Sequence, residues 1–180
     1  MKILVLFGTT EGQTRKVCAF VEARLKTQGH DVAMVDAGAA GAVDVGGFQG
    51  AIVAASIHVG QYQRAVVQFA RANAAWLNRM PSLFLSVSLS VVSSDSEERT
   101  SLETIVENFR AYTGWSGAEV HHVAGAIRMS QYDFFKRWVM RAIAWEKGLK
   151  LPRDQDLELT DWNALGGVID AFHARLGARA

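Results

Sequence analysis

The chain is expected to fold as one domain spanning residues 1–180, an α/β unit with a doubly wound, five-stranded parallel sheet of order 2-1-3-4-5. Three observations predict this. Short apolar runs alternate with longer amphipathic ones along the chain, the pattern of strands joined by crossover helices. The short runs, such as Ile3-Leu4-Val5-Leu6 and Ala51-Ile52-Val53-Ala54-Ala55, are apolar almost throughout, as strands buried on both faces must be. The first run ends in a glycine- and hydroxyl-rich turn, Gly8-Thr9-Thr10-Glu11-Gly12-Gln13-Thr14, that opens directly into a helical pattern.

The elements follow in order. Residues 2–7 read as an apolar strand, and residues 13–27 as an amphipathic helix stopped at Gly29. Residues 31–35 form a short second strand. Residues 36–47, rich in glycine and alanine, are either a loop or a weak helix. A third strand of small residues spans 50–56, and the glycine-bearing loop 56–62 leads to a helix through about Leu77. A fourth strand follows Pro81 over residues 82–88. Residues 93–99 are a polar loop, 101–112 a helix, 119–127 a fifth strand, and 160–176 a last helix capped by Thr160 or Asp161.

Composition bounds the function. The chain has 180 residues, 49% hydrophobic and 21% charged, which suits a full globular core. A single cysteine, Cys18, excludes an intrachain disulfide and reads as a small core residue of the first helix. The N-terminal apolar run is only a strand long, so no cleavable signal sequence is expected, and no stretch is long enough to cross a bilayer. Neither a metal site nor a nucleic-acid partner is expected, and the oligomeric state is left open.

The first turn carries the chemistry. It lacks the lysine of a P-loop and the Gly-x-Gly-x-x-Gly spacing of a dinucleotide fingerprint. Its hydroxyls instead suit a monophosphate: Thr9, Thr10 and Thr14, with amides around Gly12, can donate to a dianion at the positive end of the helix dipole. Glu11 and Gln13 complete the stretch, which resembles a flavodoxin-like FMN site. The competing reading is an ordinary helix start capped by Thr9 or Thr10. In a sheet of order 2-1-3-4-5 the crevice lies between strands one and three, beyond their C-terminal ends. Three loops then border one pocket: the first turn, residues 56–62 (Ser56, Ile57, His58, Val59, Gly60, Tyr62) and the end of strand four (Ser86, Val87, Ser88, Leu89, Ser90). Backbone of residues 56–60 would face the flavin ring edge, with Gly60 free to reorient beside the ring. Tyr62, Ile57 or Leu89 would cover a ring face, although Tyr62 can equally be a core aromatic. His58 is the candidate proton donor or carboxylate partner, against an exposed histidine without a chemical role.

Residues 1–15, Ala55-Ser-Ile-His-Val-Gly-Gln-Tyr62, Asn78-Arg-Met-Pro-Ser82, Val123-Ala-Gly-Ala-Ile-Arg128 and Thr160-Asp-Trp162 together resemble the flavodoxin-like, menaquinone-dependent protoporphyrinogen oxidases over nearly the whole chain. The resemblance implies an FMN enzyme, cytoplasmic and peripherally bound to the inner face of the cell membrane. It would oxidise protoporphyrinogen IX to protoporphyrin IX in haem synthesis and pass the electrons to a membrane quinone. The chain departs from the family pattern at His58-Val59 and over residues 93–99.

Between the fifth strand and the last helix lies an expected amphipathic helix. Phe134, Phe135, Trp138 and Trp145 alternate with Lys136, Arg137 and Arg141, and residues 128–153 carry a net charge of +5, seven basic against two acidic. Aromatic plus basic spacing suits an anionic membrane surface and the quinone side of the reaction. The alternative is a helix packed on the domain with a solvated basic face. Two further functions share the cofactor: a flavodoxin-type electron carrier and an FMN-dependent NAD(P)H quinone reductase. The chain's net charge of +1 argues against the first, since such carriers are strongly acidic, and the missing dinucleotide fingerprint argues against the second.

Overall fold

The computed structural model describes residues 1–93, 95–127 and 157–178. Its order is β1 (Lys2–Gly8), α1 (Gln13–Thr27), β2 (Asp31–Asp36), β3 (Gly50–His58), β4 (Gln61–Tyr62), α2 (Arg64–Ala72), α3 (Ala74–Arg79), β5 (Ser82–Ser88), a 3-10 turn (Leu89–Val92), α4 (Ser96–Thr113), β6 (Glu119–Ala124), β7 (Ala126–Ile127), β8 (Leu157–Glu158) and α5 (Trp162–Gly177). The five long strands lie parallel in the order β2-β1-β3-β5-β6, the expected 2-1-3-4-5. Short β4 adds a sixth strand by pairing antiparallel with β3.

Alternation along β1 explains its unbroken apolar run. Ile3, Val5 and Phe7 turn to one face and pack with Val17, Val21 and Leu25 of α1 and Ile169 and Phe172 of α5. Leu4 and Leu6 turn to the other, with Val66 of α2, Leu77 of α3 and Phe109 of α4. Both faces of the sheet are therefore covered, and the strand ends are the place left for a ligand.

Several boundaries differ from expectation, each for a local reason. The loop over residues 56–62 is a hairpin, because β3 runs on to His58 and pairs with β4 at Ile57↔Tyr62 and His58↔Gln61. The helix expected through Leu77 breaks into α2 and α3 at Asn73, whose backbone leaves the helical range at φ −115° and ψ 16° while its side-chain amide also donates to the Phe69 carbonyl at 2.9 Å. Helix α4 begins at Ser96, inside the expected polar loop, because Asp95 caps it by accepting from the Glu97 amide at 2.8 Å, with Glu97 and Glu98 in the first turn. Residues 36–47 form no helix. The expected fifth strand stops at Ala124: β5 gives way to the 3-10 turn there, and Ala126–Ile127 pair antiparallel with Leu157–Glu158. Asp161 alone caps α5, accepting from the Asn163 and Ala164 amides, while Thr160 is buried and donates to the Ala124 carbonyl at 2.7 Å. The aromatic and basic segment with Phe134, Phe135, Lys136, Arg137, Trp138, Arg141 and Trp145 lies outside the described residues. Among the described residues, no helix is long and apolar enough to cross a membrane.

Candidate functional site

The ends of β1, β3 and β5 converge on a crevice of about 420 Å³. Its floor is the turn between β1 and α1, where Thr9, Thr10, Glu11, Gln13 and Thr14 line the cavity. The hairpin of β3 and β4 supplies one wall through Ser56, Ile57, His58, Val59 and Gly60. Val87, Ser88, Leu89 and Ser90 supply the other, closed at the edge by Gly125 and Ala126.

The floor is arranged to donate hydrogen bonds. Gly12, not a threonine, holds the N-cap position of α1, at φ 89° and without a side-chain cap, so the reading of a helix start capped by Thr9 or Thr10 is not what forms. Thr9 Oγ1 instead accepts from the Gly12 amide at 2.8 Å, and Thr10 Oγ1 accepts from Gln63 Nε2 at 3.1 Å. Each threonine oxygen is thus engaged as an acceptor, leaving its O–H to donate elsewhere. The Gly12 amide is consumed in this way, and Gly12 does not line the crevice. Thr14 is only 1% exposed, yet its hydroxyl has no partner among the described residues. A buried hydroxyl without a partner costs about 1–3 kcal/mol, so one on a cavity wall marks a place for an acceptor from outside. No lysine or arginine lines the crevice among the described residues; Glu11 and His58 are its ionisable side chains. A negatively charged group here would rely on hydroxyls, amides and the dipole of α1. These features fit a terminal phosphate.

Gln13 is positioned from behind. Its side-chain amide donates to Glu158 at 2.9 Å and to Thr160 at 3.1 Å, while Lys16 Nζ pairs with Glu158 at 2.8 Å. The hydrogen bonds from Lys16 and Gln13 hold the Glu158 carboxyl below the usual carboxylate range. Sequence spacing carried no sign of this tie, because it joins positions about 145 residues apart.

The walls are apolar above the polar floor, with Ile57, Val59, Val87 and Leu89 facing the cavity. At the hairpin tip, Val59 and Gly60 both take positive φ, 49° and 73°, as a two-residue I′-type turn requires. His58 is exposed on the same hairpin.

Besides Gly12, two expected site residues lie outside the crevice lining, Tyr62 and Ser86. Tyr62 is buried, its ring edge-on to Phe84 and Phe109 at centroid distances of 5.0 and 5.2 Å, and its hydroxyl is 2.8 Å from Ser86 Oγ. Burial pushes the Tyr62 hydroxyl up to about 12. Ser86, fully buried, serves as its partner. Both belong to the core beneath the crevice: the Tyr62 ring packs on Phe84 and Phe109, and Ser86 lies two residues deeper along β5 than Ser88, which lines the cavity. Gly125 and Ala126 also line the cavity, outside the expected site; a glycine inside the expected fifth strand was the available signal.

Comparison with known proteins places the geometry in context. A family model described as a flavodoxin domain matches residues 4–153. A protoporphyrinogen IX dehydrogenase [quinone] of Escherichia coli K12 is 29% identical over 163 residues, covering 90% of this chain and 89% of that protein. One of Leishmania major with the same name is 26% identical, covering 96% of this chain and 75% of that protein. Among solved structures, a short-chain flavodoxin associated with a non-canonical PDU bacterial microcompartment superimposes with a TM-score of 0.60 at 14% identity, over 98% of this chain and 99% of its own. The Streptococcus pneumoniae TIGR4 flavodoxin gives 0.58 at 16% identity, covering all of both chains.

Proposed function

The chain belongs to the flavodoxin-domain family and is a flavodoxin-like oxidoreductase with a flavin site, and from that premise we propose that the flavin is FMN, held non-covalently, and that the protein oxidises protoporphyrinogen IX to protoporphyrin IX with a membrane quinone as final acceptor. One observation carries the cofactor reading: the buried, unpartnered Thr14 hydroxyl at an uncapped helix start, flanked by two threonines free to donate. That set suits a terminal monophosphate, as in FMN, better than the doubly esterified pyrophosphate of FAD. The substrate reading rests on the names of the relatives in Escherichia coli and Leishmania major, both matched over most of their length.

The bound flavin supplies the capacity to accept and release electrons; the chain supplies the environment. Thr9, Thr10 and Thr14 would donate to the phosphate, and the N-terminal amides of α1 would add their dipole. Ile57, Val87 and Leu89 line the space for the ring and exclude water from it. The backbone of residues 58–60 lines the crevice where it would border the ring edge, and exposed His58 could exchange a proton with solvent or meet a porphyrin carboxylate. The aromatic and basic residues Phe134, Phe135, Lys136, Arg137, Trp138, Arg141 and Trp145 are assigned to an anionic membrane surface, where quinone and the poorly soluble substrate are found. A lysine or arginine near such a surface contributes about 1 kcal/mol.

Three experiments test the reading. The purified protein should be yellow and release FMN on denaturation; release of FAD would overturn the cofactor assignment. Under anaerobic conditions it should oxidise protoporphyrinogen IX with a quinone and without NADPH. Electron exchange with protein partners alone would identify a carrier, and strict dependence on NADPH a nicotinamide-driven quinone reductase. Changing Lys136, Arg137 and Arg141 to Glu should lower binding to anionic liposomes and quinone-coupled turnover while FMN stays bound.

A further inference from the structure

Val59 breaks a local rule with no return from its own surroundings. It occupies the first central position of the hairpin turn at φ 49°, a left-handed conformation that Asn, Asp and Gly adopt readily and a β-branched residue resists. Such strain persists in folded proteins where something else repays it, and it concentrates at ligand clamps and active sites. Packing does not repay it here, because Val59 is 88% exposed. Its position does point to a beneficiary, for Val59 lines the mouth of the crevice. Across the cavity, the 3-10 turn that contributes Leu89 and Ser90 to the wall ends in Val92, which is 44% exposed. Among the described residues four large apolar side chains are exposed, and these two stand on the two loops that frame the crevice. Ionisable groups are sparse there: His58 precedes Val59, and Glu11 lies on the floor.

We propose that Val59, supported from the opposite loop by Val92, is a specificity-determining contact for the substrate, an apolar lip that receives the face of a large, flat, hydrophobic ring system at the mouth of the crevice. The inference rests on the proposed porphyrinogen reading for the identity of that ring. The strained turn holds the isopropyl group outward, so its apolar area is withdrawn from water only when substrate arrives. A polar residue at the same position would relax the turn and forfeit that contact. Position 59 therefore sets turn stability against substrate affinity, an opposition expected where function opposes local stability.

The test uses FMN-loaded full-length protein and the variants Val59→Asn, Val59→Ile and Val92→Ser. Val59→Asn should raise the thermal midpoint by relieving the turn. It should also raise KM for protoporphyrinogen IX about fivefold or more, the scale of one lost aliphatic contact, with a smaller change in kcat. FMN affinity, titrated separately, should fall by a smaller factor than KM rises. Val59→Ile should keep the wild-type KM, and Val92→Ser should raise KM without raising the midpoint. An unchanged KM in Val59→Asn overturns the proposal, as does a KM rise matched by an equal loss of FMN affinity. Loss of liposome binding at constant KM would also overturn it, by making the lip a membrane contact. Wild-type protein that fails to oxidise protoporphyrinogen IX at all would instead refute the substrate reading, and is distinguished by occurring before any substitution.

Discussion

Replacing Thr14 by Val offers a sharp test because it should move two measurements in opposite directions. Val keeps the branched shape of Thr and removes the hydroxyl, which is buried and has no partner among the described residues. Leaving such a group unsatisfied costs about 1–3 kcal/mol, so its removal should raise the unfolding free energy of the apoprotein by up to that amount. With FMN present the same hydroxyl is expected to meet a phosphate oxygen, and its loss should cost a similar 1–3 kcal/mol of binding. At about 1.4 kcal/mol per factor of ten, the dissociation constant should rise roughly 5- to 150-fold. Denaturant unfolding of the apoprotein and fluorescence titration with FMN read the two effects separately. Thr14→Ser, which retains the hydroxyl, should bind FMN nearly as wild type. A variant Thr14→Val with a destabilised apoprotein and unchanged FMN affinity would show that the hydroxyl serves the fold, and the phosphate argument would fail.

Other substitutions probe the remaining walls. At Gly60 an added Cβ meets no atom within 4 Å, so the effect of Gly60→Val comes from forcing a β-branched residue to φ 73°; the flavin reduction potential should shift by at least about 30 mV, tenfold for a two-electron couple, while phosphate affinity is kept. Tyr62→Phe leaves Ser86 Oγ without its partner and should cost about 1 kcal/mol in denaturant unfolding without altering FMN affinity, because neither residue reaches the crevice. The Glu158 carboxyl is held below its ordinary range, so the stability it contributes is present above the carboxylate range and is lost as pH falls through its depressed value. Glu158→Gln should therefore flatten the acid limb of the stability-pH profile; an unaltered limb would show that the tie among Lys16, Gln13 and Glu158 is too solvated to matter.

What the sequence determined by itself was the sheet, its order and the three loops around the crevice. Those properties follow from local signals: unbroken apolar runs require burial on both faces, glycines and hydroxyls mark the turn, and the alternation of strand and helix restricts the topology. Thr9, Thr10, Glu11, Gln13 and Thr14 could be placed together because they are neighbours in the chain, and the strand order then brought Ser56–Gly60 and Val87–Leu89 to the same place. Tertiary structure decided what depends on side-chain direction and on distant partners. Tyr62 and Ser86 belong to the core because the Tyr62 ring packs on Phe84 and Phe109 and its hydroxyl meets Ser86, contacts between positions more than 20 residues apart that no local pattern encodes. Gln13 gained its brace from Glu158 and Thr160 across some 145 positions, which no local pattern encodes. The strain at Val59 likewise exists only because β4 folds back on β3, so that a valine ordinary in sequence must turn a two-residue hairpin that suits asparagine or glycine.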